Sequence, residues 1–489
     1  MLARKAASGA IWLAGGRLLA KSLDLISLLV VARLLTPADF GLFALAATVL
    51  LVLNAITDLS LANAIVQMKD PPARVYDTAF TLSCLRGLVV GGALAAVASS
   101  FAGYYGDERL APILYALCVV PMIRALASPR LAHLQRKMQF RQTFFMEVAG
   151  RCAAFAASVI AAWLTQSYWA LVAGMIAAPL LSSLISYGFA PYRPRLDLIQ
   201  WRAIFAFSGW LTLSNTVNTI NWQADRLFIG GQLGPDILGQ YTVGSELASL
   251  PTNTPILPIM QSLYAAFSKL SHDLDRLRAA YLMSQAAVLA LALPIAVTVS
   301  VFAHAIISIA VGPQWAASAI VIEILAPVFA VQMLTGPAQS IAMAQGRTDT
   351  ILYRDLLALA IRLPLILIGL YLAGLQGVIW ARVASGLAII LLNLLLIRRI
   401  LGIGLIKQIF APWRSFVSAS LLALFMIFVD RELGLREATD ISALVGISIL
   451  SAAGFALYGG IHILLWSFTR PIDSAEQKLL NLTRSLGRA

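Results

Sequence analysis

Charged residues are scarce in this sequence. Asp, Glu, Lys and Arg together make up 12% of its 489 residues, about half the share of an ordinary soluble domain. With 60% apolar residues and a mean hydropathy of +0.83, such a chain needs lipid as its solvent. Cysteine is also rare: Cys84, Cys118 and Cys152 all fall inside apolar stretches, and no CxxC pair occurs. That excludes a disulfide framework and a zinc ribbon, and leaves three small buried hydrophobes. Alternating apolar and polar strands are missing too, which excludes a transmembrane barrel. Helices remain as the way to satisfy every backbone group within a bilayer. No phosphate-binding glycine loop and no HExxH occur, so neither an ATP-driven nor a metalloprotease reading has its motif. No metal or cofactor is expected.

Apolar stretches of about twenty residues are abundant, the length a membrane-crossing helix needs. Fourteen can be drawn, near 9–34, 39–62, 78–102, 110–130, 144–165, 168–189, 203–231, 237–266, 283–309, 316–341, 352–374, 376–397, 413–430 and 440–468. The eighth is expected to be broken by Pro251, Pro255 and Pro258, which membranes tolerate when neighbours satisfy the freed carbonyls. Arg4 and Lys5 precede the first stretch, but Arg17, Lys21 and Asp24 interrupt it and no clean cleavage site follows, so a retained span is expected rather than a signal peptide. The loops are far shorter than the roughly fifty residues of a separate domain, which leaves no room for a soluble catalytic domain. The one D-x-D, Asp273 to Asp275, reads as a solvated helix start.

The net charge of +13 does not point to nucleic acid, because the basic residues gather in short loops on one side. Lys69, the run Arg130–Arg141, Arg193–Arg202, Lys269–Arg278, Arg347 and Arg398–Arg414 would share one face, against only Arg33, Arg109, Arg431 and Arg436 on the other. By the positive-inside rule both termini are expected in the cytoplasm, as for a bacterial inner-membrane protein. After Pro471, Ile472, Ala475, Leu479, Leu482 and Leu486 recur at helical spacing, as in an amphipathic tail lying on the membrane surface.

An internal repeat organises the chain. LLTPADFGLFALA (34–46) matches QLGPDILGQYTVG (232–244), pairing Pro37 with Pro235, Gly41 with Gly239 and Phe43 with Tyr241, and upstream Ser8-Gly9 matches Ser208-Gly209. Each copy sits in the outer turn between the first and second helix of its half. A chance recurrence of turn chemistry would not also supply the Ser-Gly match and the equal spacing. The expected organisation is an all-α membrane protein with a six-helix lobe (1–190), a cytoplasmic linker (191–202) and a second six-helix lobe (203–400). Two further helices (401–469) and the tail (470–489) follow. An even number of spans per half makes the repeats parallel, an arrangement suited to alternating access around a central cavity.

Eight basic residues fall within spans: Arg17, Lys21, Arg86, Arg124, Arg151, Arg226, Arg362 and Arg382. Each costs about 2.5–3.5 kcal/mol at a helix centre on insertion scales, so most should face the protein interior or water. Arg17, Lys21 and Asp24 share one face of the first helix, Glu147 and Arg151 are four apart, and Asp355 and Arg362 seven apart. Asn215, Asn218, Trp222, Asp225 and Arg226 form a polar side on the seventh. Arg86, Arg124 and Arg151 lie near the cytoplasmic end, where snorkelling or a structural ion pair competes evenly with a cavity role. Lys21 and Arg362 lie near mid-span, where a cavity role is favoured. Asp24, Asp225, Glu246, Glu323 and Asp355 are the candidates for carrying a coupling proton or sodium ion. An aqueous cavity with surplus positive charge suits an anionic substrate bearing phosphate or pyrophosphate.

The motifs ARLLTPADFGLFALA (32–46), DLSLANAIVQ (58–67) with DTAF (77–80), and ADRLFIGGQLGPDILGQYTVGSEL (224–247) resemble one family. It is the polysaccharide-transport branch, the Wzx-type flippases, of the multidrug/oligosaccharidyl-lipid/polysaccharide exporter superfamily. The resemblance spans essentially the whole chain, with one departure at YAAFSKL (264–270), where relatives often carry a proline. It implies fourteen helices, no enzymatic activity, and translocation of undecaprenyl-pyrophosphate-linked oligosaccharide from the cytoplasmic to the periplasmic leaflet. Membrane lipids and polysaccharide polymerase or assembly proteins are the implied partners. Lipid II export or drug export on the same fold, and a membrane-embedded polymerase or ligase, are the competing functions.

Overall fold

The computed structural model describes residues 2–469 except 59, 60, 62–64, 67, 69, 70, 138, 439 and 441; the tail expected at 470–489 lies outside the described residues. Every regular element among the described residues is helical. Eight helical segments are long and apolar enough to cross a membrane, and the chain is a multi-pass membrane protein. Large apolar side chains stand outward, including Tyr104, Trp163 and Tyr371 near helix ends, where ring and polar edge suit a membrane–water boundary.

The chain divides into two compact units, Met1–Thr242 and Val243–Ala489. The first holds α1 (Leu2–Leu34), α2 (Pro37–Ile56), α3 (Ala73–Tyr105), α4 (Leu110–Leu117), α5 (Val119–Ala125), α6 (Leu131–Arg136), α7 (Phe140–Thr165), α8 (Trp169–Phe189) and the start of α9 (Trp201–Leu270). Helix α2 begins on a capping box. Asp39 N–H donates to Thr36 Oγ1 at 3.3 Å, Thr36 N–H donates to Asp39 Oδ2 at 3.2 Å, and Pro37 opens the first turn. The other oxygen of Asp39 accepts Tyr168 N–H at 3.1 Å, so one carboxylate serves two helix starts. Helices α7 and α8 form a hairpin with α1 against α7. Gly174 lets the α7 backbone approach, because a Cβ there would meet Ser158 Oγ and the carbonyl oxygen of Ala154.

The expected break at Pro251, Pro255 and Pro258 is not where α9 bends. The helix continues through them, and its one non-helical residue is Gly234, at φ 83°. Proline's fixed φ is itself helical, whereas a positive φ is open mainly to glycine. The bend therefore falls at the repeat motif, where the turn between the seventh and eighth stretches was expected, and separates limbs 201–233 and 235–270.

The two motif copies touch. A Cβ on Gly41 would run into the carbonyl of Pro235, and one on Gly239 would run into the carbonyl of Pro37. Both contacts lie inside the first unit. Each glycine thus gives the other copy's proline carbonyl its place, a reciprocal packing of the two repeated turns.

The second unit continues α9 and adds α10 (Leu274–Val301), α11 (Ala303–Ala310), α12 (Ala316–Gln332), α13 (Gly336–Ala344), α14 (Thr348–Leu401), α15 (Leu405–Phe410), α16 (Trp413–Leu433) and α17 (Ala443–Thr469). Helix α14 reverses at Ala373 and Gly374. Its limbs meet at Gly369 and Gly377, each against the other's backbone. The core of this unit carries a buried polar chain. Gln285 Nε2 donates to Tyr281 Oη at 2.9 Å and to the Leu334 carbonyl at 3.0 Å, and Tyr281 donates to Gln408 Oε1 at 3.3 Å.

Candidate functional site: two cavities joined at Arg124

Within the first unit, α2, α3, α5 and the first limb of α9 enclose a cavity of about 530 Å³. Its polar lining comes from Asn54 and Asp58, Arg86, Arg124, and Asn215, Asn218, Trp222 and Gln223. A smaller cavity of about 270 Å³ lies among α5, α7 and α8, lined by Glu147, Arg151, Ser182 and Ser183 among others. Arg124 lines both.

Arg86 is fixed in place by the end of α2. Its Nη2 donates to the Asn54 carbonyl at 2.8 Å, its Nε donates to Thr57 Oγ1 at 3.3 Å, and its Nη1 lies 3.8 Å from Asp58 Oδ1. Unsatisfied carbonyls at a helix C-terminus carry partial negative charge, so a guanidinium there is favourable. The first limb of α9 closes the same end: Thr216 donates to the Ala55 carbonyl at 3.0 Å and Thr212 to that of Asp58. This packing brings Asn215, Asn218 and Trp222 to the cavity wall.

Arg151 is held by Asp24, Nη1 to Oδ1 at 2.9 Å, and Lys21 sits 3.7 Å from the other oxygen. The four-residue spacing of Glu147 and Arg151 does not produce an ion pair. Arg124 differs from both other arginines. It is exposed and lines both cavities, and among the described residues its side chain makes no hydrogen bond and no ion pair. The structure thus brings Arg86, Arg124 and Arg151 to two neighbouring cavities that share Arg124, with Asp24 and Lys21 beside Arg151.

The remaining residues expected at the site lie elsewhere. Arg17 is on α1, with its side chain outside the described residues. Arg226 lies on α9 beside Asp225, which is buried and accepts a 2.6 Å hydrogen bond from Tyr241. In the second unit Arg362 and Arg382 are 3% and 6% exposed and line neither cavity. The Arg382 guanidinium lies 5.6 Å from the centre of the Phe329 ring. Asp355 pairs with Arg354 at 2.6 Å, and Arg354 also donates to Asn393. Glu323 is 2.5 Å from Arg436 and 3.6 Å from His304, while Glu246 is exposed.

Sequence reasoning missed Asn54, Asp58 and Gln223 as wall residues. It also gave no role to DTAF, which turns out to dock the segment between α8 and α9. Tyr192 donates to Asp77 Oδ1 at 2.6 Å, Asp197 N–H donates to Thr81 Oγ1 at 2.9 Å, and the Tyr192 ring lies 5.6 Å from Phe80. Burial first, then the bond to Asp77, pushes the Tyr192 hydroxyl pKa well above its usual value, so it stays a donor. Arg130 lies over the same ring and donates to the Pro191 carbonyl at 3.0 Å.

Comparison with known proteins places this arrangement. The fold is that of multidrug/oligosaccharidyl-lipid/polysaccharide superfamily transporters. The solved lipid II flippase MurJ in its inward closed conformation matches with a TM-score of 0.71 at 13% identity, covering 95% of this chain and 100% of that one. An inward-facing multidrug resistance MATE transporter matches with a TM-score of 0.61 at 16% identity, over 78% and 94%. Residues 30–320 match the model of the polysaccharide biosynthesis protein family, and the chain belongs to that family. Among curated relatives, the lipopolysaccharide biosynthesis protein WzxC of Escherichia coli is 24% identical over 89% of this chain and 88% of its own length. The succinoglycan biosynthesis transport protein ExoT of Rhizobium meliloti is 24% identical over 62% of each.

Proposed function

We propose that this protein is a flippase that carries diphosphate-linked oligosaccharide lipids across the inner membrane for polysaccharide assembly, with undecaprenyl as the lipid. Family membership supplies the pathway class. The observation that carries the substrate chemistry is Arg124, a cavity-facing cation without a counter-ion among the described residues, with Arg86 pre-oriented on the same wall. A cation held inside a membrane protein without a partner is costly, and an arriving phosphate removes that cost through charge-assisted hydrogen bonds. Asn215, Asn218 and Gln223 add neutral donors and acceptors. Fourteen crossings, cytoplasmic termini, alternating access and coupling to a proton or sodium ion belong to the same reading.

Deletion of the gene followed by analysis of accumulated lipids tests it. The expected result is lipid-diphosphate oligosaccharide trapped facing the cytoplasm. Single unpolymerised units accumulating on the outer side would instead assign a polymerase, and trapped lipid II would move the substrate to peptidoglycan precursors.

A further inference from the structure

The smaller cavity contains a combination of groups that a phosphate does not explain. Glu147 lines it and, among the described residues, its side chain makes no hydrogen bond and no ion pair. Arg124, equally without a partner, lines the same space. Arg151 is there as well but is already committed to Asp24 at 2.9 Å. Ser182 spends its proton on a long 3.4 Å contact to the Met146 carbonyl, which leaves its oxygen lone pairs to accept. Gly150, Ala178 and Pro179 keep the remaining wall small.

An unpartnered carboxylate and an unpartnered guanidinium in one chamber set opposing demands on a ligand. A second phosphate would be repelled by Glu147, and a cation by Arg124 and Arg151. A neutral polyhydroxyl ligand meets both demands, because each hydroxyl can donate to the carboxylate or to Ser182 Oγ and accept from the guanidinium. We infer that this chamber, built from Glu147, Arg151 and Ser182, binds the first sugar of the lipid-linked substrate, while Arg124 holds the phosphate that joins that sugar to the lipid in the larger cavity. This assignment rests on the flippase reading and deepens it. It makes Glu147 and Ser182 residues that select the sugar, and Arg124 the residue shared by both chambers.

The test uses full-length protein in lipid nanodiscs and a short-chain probe series: farnesyl diphosphate alone, and farnesyl diphosphate carrying glucose, galactose or N-acetylglucosamine. At least one sugar is expected to tighten binding about tenfold over the bare diphosphate, the effect of one good hydrogen bond to a charged group. Glu147→Gln and Ser182→Ala, checked for folding by size exclusion and thermal melting, are expected to bring that ligand down to the affinity of the bare diphosphate. If no sugar tightens binding, or the gain survives in both variants, the chamber does not read the sugar and the inference is overturned. If the free monosaccharide binds as tightly as its lipid-linked form, the chamber belongs to a soluble saccharide and the linkage through Arg124 falls. Failure of the wild type to bind bare farnesyl diphosphate would overturn the flippase reading itself. That outcome is distinct from loss of the sugar increment alone.

Discussion

Three intramembrane arginines, two of them in the cavity wall and one in the second unit's interior, are not equivalent, and their surroundings predict how each will respond to removal. The Arg124 side chain has no hydrogen bond or ion pair among the described residues to lose, so Arg124→Ala should abolish export while leaving abundance and melting temperature unchanged. Arg86 braces the end of α2 through Asn54, Thr57 and Asp58. Arg86→Ala should therefore cost stability as well as export, by about 1–3 kcal/mol for unmet acceptors. Arg362 is a third case. It is buried at 3% exposure, so Arg362→Ala should reduce the folded fraction, by about 1–3 kcal/mol for the groups it leaves unmet. Export in cells and thermal melting of purified variants separate the three. An unchanged melting temperature for Arg362→Ala would show that its burial is not structural. The sequence made all eight intramembrane cations visible as unusual. It did not show which face an aqueous space and which a protein core, because that depends on partners far along the chain: Arg86 on α3 with Asn54 on α2, and Arg151 with Asp24. Glu147 and Asn54 escaped the site for the same reason.

At the scale of elements, helix existence and the repeat were legible because apolar length and the L-x-P-x-x-x-G spacing are local signals. Two things were not. The sequence placed a turn between 231 and 237, where the chain does bend at Gly234 with φ 83°, but it also expected a break at the three prolines, through which the helix continues. Nor could self-similarity reveal that the two copies meet. The reciprocal contact of Gly41 with Pro235 and Gly239 with Pro37 predicts that Gly41→Ala and Gly239→Ala each destabilise by about 1–3 kcal/mol through overpacking. The double variant should cost less than the sum, because both changes push apart the same pair of turns. Melting temperatures of the four proteins measure this, and strict additivity would mean that the contacts are independent. DTAF teaches the complementary lesson. Its recognisable pattern comes from docking the segment 190–200 onto α3, so Tyr192→Phe and Asp77→Asn should loosen that segment. Faster proteolysis within 190–200 is the expected readout, with little change at the outer turns.

For the whole molecule, the charge asymmetry and the helix ends make a joint statement about orientation that neither makes alone. The loop at Gly106–Arg109 and the turn at Gly434–Arg436 belong to the side poor in basic residues, and Tyr104 stands exposed at the end of α3 beside the first of them. The turns at His133 and at His272 belong to the basic side. The positive-inside rule reads the charge of short loops, and these loops are short. Aromatic side chains such as Tyr104, Trp163 and Tyr371 then mark one boundary independently of charge. With Cys84, Cys118 and Cys152 first replaced by alanine, single cysteines at Gly106 and Gly434 should react with a membrane-impermeant maleimide added to intact spheroplasts. Cysteines at His133 and His272 should react only after the membrane is opened. Labelling of 133 or 272 from outside would reverse the orientation. Accessibility at Gly106 without accessibility at Gly434 would mean an odd number of crossings between them and break the even count per half. Because parallel repeats require that even count, the same four cysteines test both the orientation of the chain and the repeat relationship of its halves.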